Sequence, residues 1–504
     1  MMLGSRDRLP FWLLLVALVS AAALCLPALQ GQALALDEHG SYYLAGAPTL
    51  RELWNRTDQV TALPPLTHLF ERLALAIGGH SENSLRIPSL TAYVLAVAAC
   101  GWLGRLTAGP ICGGLAALLI AWHPGVLDEV RIARSYGLIL LLSSLSMAFL
   151  LRWLASSHRR RWLAGWAVTV TALMWTQYLT ALVVAAQVLV LIVGVWRLRR
   201  NERKTAQRSL FAALAAVTIG CLPLLPAVDR LSGWGTVMDF QEWDPTMLQA
   251  LGASWTIPAL IVVAAGLLFG RTATLEGDTA RWPVAAILAA WLIPLLLLGA
   301  LVLTRSPMLA VPRYRVMMAP YAAIAISVSL IRLLRPAAAV VAAVAFLALC
   351  TVINGSSPLV ARRLANPVEA EWKRIGLELG PRMASSATLV FTQTGLVEGA
   401  ILTTFPDDPR LNEYVASRLG RFYTGSDRAI AIPLMWNGGP PTLRLYQKRL
   451  LSPAVREVWI VGATDTDLNA GSVEIADRVI QSHGYRRMGV DGRPGITVRR
   501  FERI

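Results

Sequence analysis

Residues 11–38 read FWLLLVALVSAAALCLPALQGQALALDE, an apolar run that is followed closely by two adjacent carboxylates. A helix needs about 20 apolar residues to cross the hydrocarbon layer of a bilayer, and the run from Phe11 to Leu29 is of this length. The run exceeds the 7–15 apolar residues typical of a signal peptide. We therefore expect an uncleaved membrane helix, although Ala33-Leu34-Ala35 resembles a signal-peptidase site.

The rest of the chain continues in the same way. Of its 504 residues, 55% are apolar and 15% are charged, whereas soluble domains are roughly 45–50% apolar and about 25% charged. This composition excludes an ordinary soluble enzyme and a disordered chain. Eleven segments are candidate membrane spans, at approximately residues 10–30, 84–104, 110–126, 133–154, 162–178, 180–196, 209–228, 251–270, 282–303, 316–332 and 337–353.

The basic residues indicate the orientation. The net charge is +16, and the two strongest clusters, at residues 159–161 and 197–208, fall in even-numbered connections, on the same side as Arg6 and Arg8. Because Lys and Arg favour cytoplasmic loops, we expect a multi-pass protein of the inner (plasma) membrane with a cytoplasmic N-terminus. The charge is explained by this placement, so no nucleic-acid partner is predicted. The five cysteines lie in apolar stretches without metal-ligand spacing.

Two domains are expected. Residues 1–353 form the membrane domain, and its first outer loop, about residues 36–83, carries amphipathic helices at 49–55 and 66–77 that suit the membrane interface. A further outer loop covers residues 229–246. After residue 354, strand-like runs at 387–392, 429–433 and 457–462 alternate with helix-like runs at 411–422 and 473–482. Residues 354–504 are therefore predicted to be an extracytoplasmic α/β domain, connected by a linker at 354–367.

Charged residues at the outer ends of the spans are the main functional signal, because charge near a bilayer is costly. They form an acidic pair and two clusters that contain arginine pairs: Asp37 and Glu38; Asp128, Glu129, Arg131, Arg134 and Tyr136; Arg313, Tyr314 and Arg315. Solvated helix ends or anchoring at the interface would explain each cluster by itself. Together they also suit group transfer from a phosphate, since a carboxylate can take a proton and guanidinium groups can stabilise a leaving phosphate.

The order of short motifs resembles the GT-C glycosyltransferases, specifically the protein O-mannosyltransferase and aminoarabinose-transferase type. The matching elements are Asp37-Glu38, Pro64-Pro65-Leu66, Arg134 with Tyr136 and Leu138, Arg313-Tyr314 with Pro320, and Trp372-Lys373-Arg374. The chain has Gln177-Tyr178 where such proteins often have a histidine before the tyrosine, and Ile132 where a glutamate often stands. The second difference leaves open which secondary carboxylate matters.

This resemblance implies a GT-C fold and inverting transfer of a hexosyl or pentosyl group from a polyprenyl-phosphate-linked donor to an acceptor hydroxyl on a glycan, lipid or protein. It implies that Asp37 is the general base, that Glu38 helps to bind or orient the acceptor, and that Asp128 or Glu129 is a secondary carboxylate. The donor phosphate would be surrounded by Arg131, Arg134, Tyr136, Arg313, Tyr314 and Arg315. Further candidates are His68, His123, Gln177 and Tyr178. No obligate metal is expected, with a divalent cation as the alternative.

Burial at the membrane surface is expected to raise the pKa of Asp37, which suits a base near neutral pH. Two other classes of protein remain open. A transporter is compatible with eleven spans, but it is disfavoured because the charges lie at the outer ends rather than at the midplane. A membrane assembly protein would have no donor cavity, and its Asp37 would be dispensable.

Overall fold

The computed structural model describes residues 5–61, 63–156, 159–230, 255–270, 278–304, 307–354, 357–360, 363–434, 436, 439–464 and 471–504. Helices of the membrane half are, in chain order, α1 (Ser5–Cys25), α2 (Leu36–Ala45), α3 (Leu50–Arg56), α4 (Leu66–Gly78), α5 (Glu82–Ala108), α6 (Pro110–Ala121), α7 (Pro124–Val130), α8 (Tyr136–Ala155), α9 (Arg160–Met174), α10 (Ala181–Trp196), α11 (Arg200–Cys221), α12 (Thr256–Phe269), α13 (Asp278–Thr304), α14 (Ala319–Leu333) and α15 (Pro336–Asn354).

Eight helices in the described part of the chain are long and apolar enough to cross a membrane, or nine if a bent pair counts as one span. They contain α1, α5, α8, α10, α11, α13, α14 and α15, some extended by short helical turns at their ends. This confirms a polytopic helical membrane protein. The bent pair is α6 and α7, whose axes differ by 61° at a break next to His123.

Two predicted spans are helices that are too short to cross a bilayer unaided. Helix α9 has 15 residues and α12 has 14, and at 1.5 Å per residue such helices reach only about 20 Å of the roughly 30 Å hydrocarbon layer. The predicted segment at 251–270 begins outside the described residues. Most of the predicted outer loop at 229–246 also lies outside them.

Helices α5 and α8 approach each other closely where the candidate site begins. A Cβ atom on Gly137, in the first turn of α8, would overlap the carbonyl oxygen of Ser89 on α5. Ser89 also donates a hydrogen bond of 2.9 Å to the carbonyl of Val130. Small residues allow membrane helices to pack this tightly. The contact fixes the start of α8, and with it the segment that carries Arg134 and Tyr136.

The first outer loop contains both predicted amphipathic helices, as α3 and α4. Helix α4 exposes Leu69, Phe70, Leu73 and Ile77 on one side and buries its polar residues on the other, which is the pattern of an interfacial helix. Helix α2 was not predicted. It is short, and its sequence LDEHGSYYLA lacks a clear apolar period.

The C-terminal part is an α/β domain with one five-stranded sheet in the order β2-β1-β3-β5-β4. Its elements are α16 (Pro367–Met383), β1 (Thr388–Gln393), α17 (Pro409–Val415), α18 (Arg421–Thr424), β2 (Ile430–Ala431), α19 (Pro440–Leu450), β3 (Glu457–Ala463), α20 (Ser472–Ser482), β4 (Tyr485–Arg493) and β5 (Ile496–Arg503). Strands β2, β1 and β3 run parallel, whereas β5 is antiparallel to β3 and β4. The three predicted strands are present, but β4 and β5 were not predicted.

The first outer loop and the C-terminal domain share a hydrophobic core. Tyr43, Leu44 and Val60 of the loop are buried in one cluster with Trp372 and Leu419 of the C-terminal domain. The linker after α15 is also held in place, because Arg131 donates hydrogen bonds to the carbonyls of Pro358 and Val360. The C-terminal domain therefore packs directly over the loop that carries Asp37.

Candidate active site

Asp37 lies in the first turn of α2, where guanidinium groups surround it. Its Oδ2 is 3.1 Å from Nη1 of Arg313 and 3.6 Å from Nη1 of Arg363. Arg134 donates a hydrogen bond of 3.4 Å to the main-chain carbonyl of Asp37. The carboxylate side chain is 27% exposed, so it is partly buried and still accessible.

The charge of this cluster differs from the expectation. Burial raises the pKa of Asp37, but the positive charges of Arg134, Arg313 and Arg363 outweigh burial and hold that pKa below its usual range. Asp37 acts on Arg134 in return: burial lowers the pKa of Arg134, but the charge of Asp37 together with smaller contributions from Tyr136 and Tyr414 outweighs burial, so that this pKa is raised. The expected upward shift for Asp37 is therefore wrong, and the carboxylate is ionised at neutral pH.

Glu38 has a different environment from its neighbour. Its side chain is completely buried and forms an ion pair with Arg86, with Oε2 and Nη2 2.7 Å apart. The same carboxylate accepts hydrogen bonds from the main-chain N–H groups of Ala35 at 2.8 Å and Ala133 at 2.7 Å. Glu38 therefore joins the segment before Asp37 to the segment before Arg134. This placement contradicts the expectation that Glu38 contacts the acceptor, because its carboxylate has no exposed surface.

An apolar groove of about 440 Å³ runs between α4, α5 and α8. A smaller polar pocket of about 90 Å³ lies at its end, and Thr67 and Arg134 line both spaces. The groove is lined mainly by apolar side chains, including Phe70, Leu73 and Leu95. The polar pocket is lined by Leu63, Thr67, His68, Arg134, Ser135, Tyr136, Thr176, Gln177, Arg313 and Tyr314. The pair of spaces thus has the shape and polarity for a lipid chain attached to an anionic group.

His68 lines the polar pocket and pairs with the buried carboxylate of Glu71. Its Nδ1 is 2.8 Å from Oε2 of Glu71, and the two side chains are 6% and 1% exposed. Burial raises the pKa of Glu71, and this effect exceeds the opposing influence of His68 and Arg134. The pair fixes the orientation of the imidazole ring.

Six predicted residues meet in the polar pocket: His68, Arg134, Tyr136, Gln177, Arg313 and Tyr314. Glu129 lies nearby, since its Oε1 is 3.1 Å from Nη2 of Arg363, the arginine that also reaches Asp37. Asp128 lies on the same short helix, and its charge partly opposes the lowering of the Arg131 pKa by burial. Glu129 therefore shares the Arg363 cation with Asp37.

Four other predicted residues are not among the described residues that line the pocket: Arg131, Arg315, His123 and Tyr178. Buried Arg131 donates hydrogen bonds to the carbonyls of Leu24 and Val360, so it connects α1 to the linker after α15. Arg315 is also buried and donates to Thr256 at 3.3 Å. These two arginines face protein, which contradicts their expected role around the donor phosphate.

His123 caps α7. Its Nδ1 accepts the Val126 N–H at 3.1 Å, and the edge of its ring packs against Trp255 with centroids 4.4 Å apart. Tyr178 starts the short 3-10 turn that precedes α10. His123 and Tyr178 therefore have local structural positions, one as a helix cap and the other at the start of a helical turn.

Comparisons with known proteins place this geometry in context. A family model described as dolichyl-phosphate-mannose-protein mannosyltransferase matches residues 62–224, which is less than half of the chain. Curated proteins give no match. The solved structure of ArnT from Cupriavidus metallidurans in the apo state has a TM-score of 0.55 and 14% identity, covering 99% of this chain and 98% of that one.

The same ArnT bound to undecaprenyl phosphate has a TM-score of 0.57 at 14% identity, covering 96% of this chain and 97% of that one. An oligosaccharyltransferase of Archaeoglobus fulgidus in complex with Zn and sulfate has a TM-score of 0.57 at 14% identity, covering 94% and 71%. These alignments include both the membrane half and the outer domain.

The chain has the GT-C fold.

The predicted resemblance and fold class are thereby confirmed, and the protein is a multi-pass membrane protein whose fold is similar to those of ArnT and the Archaeoglobus oligosaccharyltransferase. Arg363, which pairs with Asp37, was not among the predicted site residues. The pair Arg362-Arg363 lies shortly after the last span, on the expected outer side. Positive charge there runs against the usual bias, so the signal that selected Arg313 could also have selected Arg363.

The residues around Asp37 do not fit a metal ion. The charged partners of its carboxylate are Arg313 and Arg363, whereas a divalent cation needs several oxygen or nitrogen ligands. Within the described ranges, no group of three or more His, Cys, Asp or Glu side chains could hold a metal. The Archaeoglobus structure, which has a similar fold, is solved in complex with Zn and sulfate.

Proposed function

We propose that this protein transfers a hexosyl or pentosyl group from a polyprenyl-phosphate-linked donor to an acceptor hydroxyl on the extracytoplasmic side of the membrane. One observation carries the proposal: the apolar groove and the polar pocket meet at Arg134, which also bonds the main chain of Asp37. Adjacent parts of one site can therefore bind a lipid tail, bind a phosphate and supply a carboxylate base. A membrane assembly protein would not need this combination.

The groove is proposed to bind the polyprenyl chain, with the phosphate in the polar pocket. Arg134 and Arg313 can make charge-assisted hydrogen bonds to phosphate oxygens, and Tyr136 and Tyr314 supply hydroxyl groups beside them. ArnT, which has a similar fold, has been solved with undecaprenyl phosphate. That structure supports a polyprenyl phosphate as the donor carrier.

In the proposed reaction, the acceptor hydroxyl attacks the anomeric carbon of the sugar from the side opposite the phosphate. A new C–O bond forms as the bond between sugar and phosphate breaks, so the anomeric configuration is inverted. Asp37 takes the hydroxyl proton, and Arg134 and Arg313 stabilise the charge left on the polyprenyl phosphate. The leaving phosphate is weakly basic, so no separate general acid is required.

The low pKa of Asp37 is compatible with a base that becomes effective after the donor has bound. Arg134 and Arg313 lower that pKa, and both line the pocket proposed for the phosphate. A bound phosphate shares these cations with Asp37 and weakens their hold on its carboxylate. The proton affinity of Asp37 therefore rises once the donor is in place.

Residues 1–353 are proposed to be the GT-C membrane domain and residues 354–504 an outer domain, in the inner (plasma) membrane with a cytoplasmic N-terminus. The basic clusters at 159–161 and 197–208 support this orientation. The acceptor is a glycan, a lipid or a protein.

The decisive experiment is a transfer assay with the purified protein in lipid nanodiscs, a panel of polyprenyl-phosphate sugars, and cell-envelope glycans and lipids as acceptors. Asp37→Asn should lower kcat by about 100-fold or more, with unchanged affinity for polyprenyl phosphate. The matched control is Asp491→Asn, because Asp491 is exposed on β4 and pairs with Arg493. Wild-type turnover by the Asp37 variant would contradict the proposal.

A further inference from the structure

Three consecutive main-chain N–H groups lead into the first turn of α2, and each donates to a side chain. Leu34 donates to the Tyr423 hydroxyl at 2.8 Å, Ala35 to Glu38 at 2.8 Å, and Leu36 to Oε1 of Glu369 at 3.2 Å. Tyr423 and Glu369 belong to the C-terminal domain, more than 300 residues away in the sequence. The segment before Asp37 is therefore held by side chains of the outer domain.

These two acceptors are themselves fixed. The other oxygen of Glu369, Oε2, is 2.7 Å from Nη2 of Arg418, and the two side chains are 6% and 2% exposed. The Tyr423 hydroxyl accepts the Leu34 N–H and can donate its own proton to Oε1 of Glu82, 3.3 Å away at the start of α5. Each acceptor thus has one partner in the Asp37 segment and another that sets its own orientation.

The start of a helix has N–H groups without partners inside the helix, and leaving them unpaired in a buried place is costly. Here the outer domain supplies the partner of Leu36 in the first turn and of Leu34 just before the helix, while Glu38 supplies the partner of Ala35. The outer domain also packs against the next turn, because a Cβ on Gly40 would lie 3.1 Å from the ring of Tyr414. Helix α2 is consequently fixed along its first two turns by contacts outside the membrane domain.

We infer that Tyr423 and Glu369 are positioning residues, which hold the Asp37 carboxylate in place for transfer. This inference rests on the proposed function. It gives the outer domain a definite part in the reaction, since a displacement of about 1 Å can slow an enzyme about 100-fold. Neither residue needs to touch the substrate.

The test uses three full-length variants. Tyr423→Phe removes the acceptor of the Leu34 N–H, Glu369→Leu removes the acceptor of the Leu36 N–H, and Glu369→Gln keeps one oxygen at that position. We expect kcat to fall about 10- to 100-fold for the first two, with unchanged affinity for polyprenyl phosphate. Glu369→Gln should recover part of the loss.

Asp477→Asn is the matched control. Asp477 is a buried acid of the same domain and pairs with Arg487 at 3.1 Å and Arg499 at 2.8 Å. Its described partners all lie in the C-terminal domain, so it reports general damage to that domain. Its variant should keep the wild-type kcat.

Amide hydrogen exchange provides a readout that does not depend on activity. Exchange should be roughly fivefold faster at Leu34 in Tyr423→Phe and at Leu36 in Glu369→Leu, and unchanged at both in Asp477→Asn. Unchanged exchange, or faster exchange with wild-type kcat, would overturn the inference. If the wild-type protein transfers no sugar, the proposed function fails instead, while unchanged exchange in the variants would still reject the hold on α2.

Discussion

Glu38 and Arg86 form a fully buried ion pair, with Oε2 and Nη2 2.7 Å apart. Arg86 also donates to the carbonyls of Ala28 and Ala33, at 3.2 and 2.8 Å. The pair therefore secures the passage from the first membrane helix to α2. Of two adjacent carboxylates, Asp37 is partly exposed beside Arg313, whereas Glu38 is buried and joins the segments on either side of the site.

Removing one partner of this pair should destabilise the protein. Arg86→Leu leaves the Glu38 charge buried, and breaking such a pair costs about 3–5 kcal/mol. Thermal unfolding in detergent should show a clear fall in Tm. Arg374→Leu is the control: its pair with Glu371 has an arginine side chain that is 61% exposed, so the loss there should be about 1 kcal/mol or less.

Donor binding should depend on the two pocket arginines. Arg134→Gln and Arg313→Gln each remove a cation from the pocket, and we expect affinity for polyprenyl phosphate to fall about 10- to 100-fold, since such hydrogen bonds contribute about 1.5–3 kcal/mol. Binding can be measured with a fluorescent polyprenyl phosphate in nanodiscs. Arg51→Gln, at an exposed position of the first outer loop, should bind normally. Equal affinity of the wild type and the three variants for polyprenyl phosphate would contradict the proposed role. Arg134 and Arg313 would then only anchor the protein at the membrane interface.

The apolar groove can be tested by filling it. Thr91 is exposed on α5 and lines the groove, so Thr91→Trp should exclude a long prenyl chain while the helix remains folded. Binding of a long-chain polyprenyl phosphate should weaken by about tenfold. A second apolar groove, of about 560 Å³ between α1 and α15, provides the control Val16→Trp. If that variant is the weaker binder, the chain lies in the other groove.

The pH dependence should follow from the arginines around Asp37. Its pKa is below the usual value near 4, so protonation of Asp37 should not lower kcat/KM above about pH 4 in the wild type. Arg363→Gln removes a cation 3.6 Å from the carboxylate and should raise that pKa. The acid limb of the kcat/KM profile should then move to higher pH by about one unit. Arg374→Gln should leave the profile unchanged.

Orientation can be tested by labelling. Asp491→Cys places a thiol on the exposed β4 strand, and we expect a membrane-impermeant maleimide to label it from outside intact cells. The natural cysteines give little background, since four of the five are buried and Cys221 is partly buried. Protection of the new thiol until the cells are opened would reverse the proposed topology.

Much of the membrane half was predictable because long apolar runs have few alternatives in a bilayer. The order of Asp37, Arg134 and Arg313 along the chain was also informative, since each lies at the outer end of a span. What hydropathy does not show is which way a side chain points. Arg131 and Arg134 are three residues apart, yet Arg131 binds the linker and Arg134 lines the pocket.

Other features arise from contacts between distant parts of the chain. Strand β4 alternates poorly, with nearly all of its residues exposed, so its sequence lacks the usual period of two. The low pKa of Asp37 depends on Arg134, Arg313 and Arg363, all of which lie far from it in the sequence. Local patterns contain no information about such pairs.

The core shared by Tyr43, Leu44 and Val60 with Trp372 and Leu419 has a consequence for engineering. A chimera joined at residue 354 would combine one half of this core with an unmatched other half. The smallest unit that can be exchanged between related proteins therefore consists of two separate parts of the chain. The outer domain and residues 34–61 must be exchanged together. Specificity swaps that ignore this rule should yield misfolded hybrids, whatever the two parents recognise.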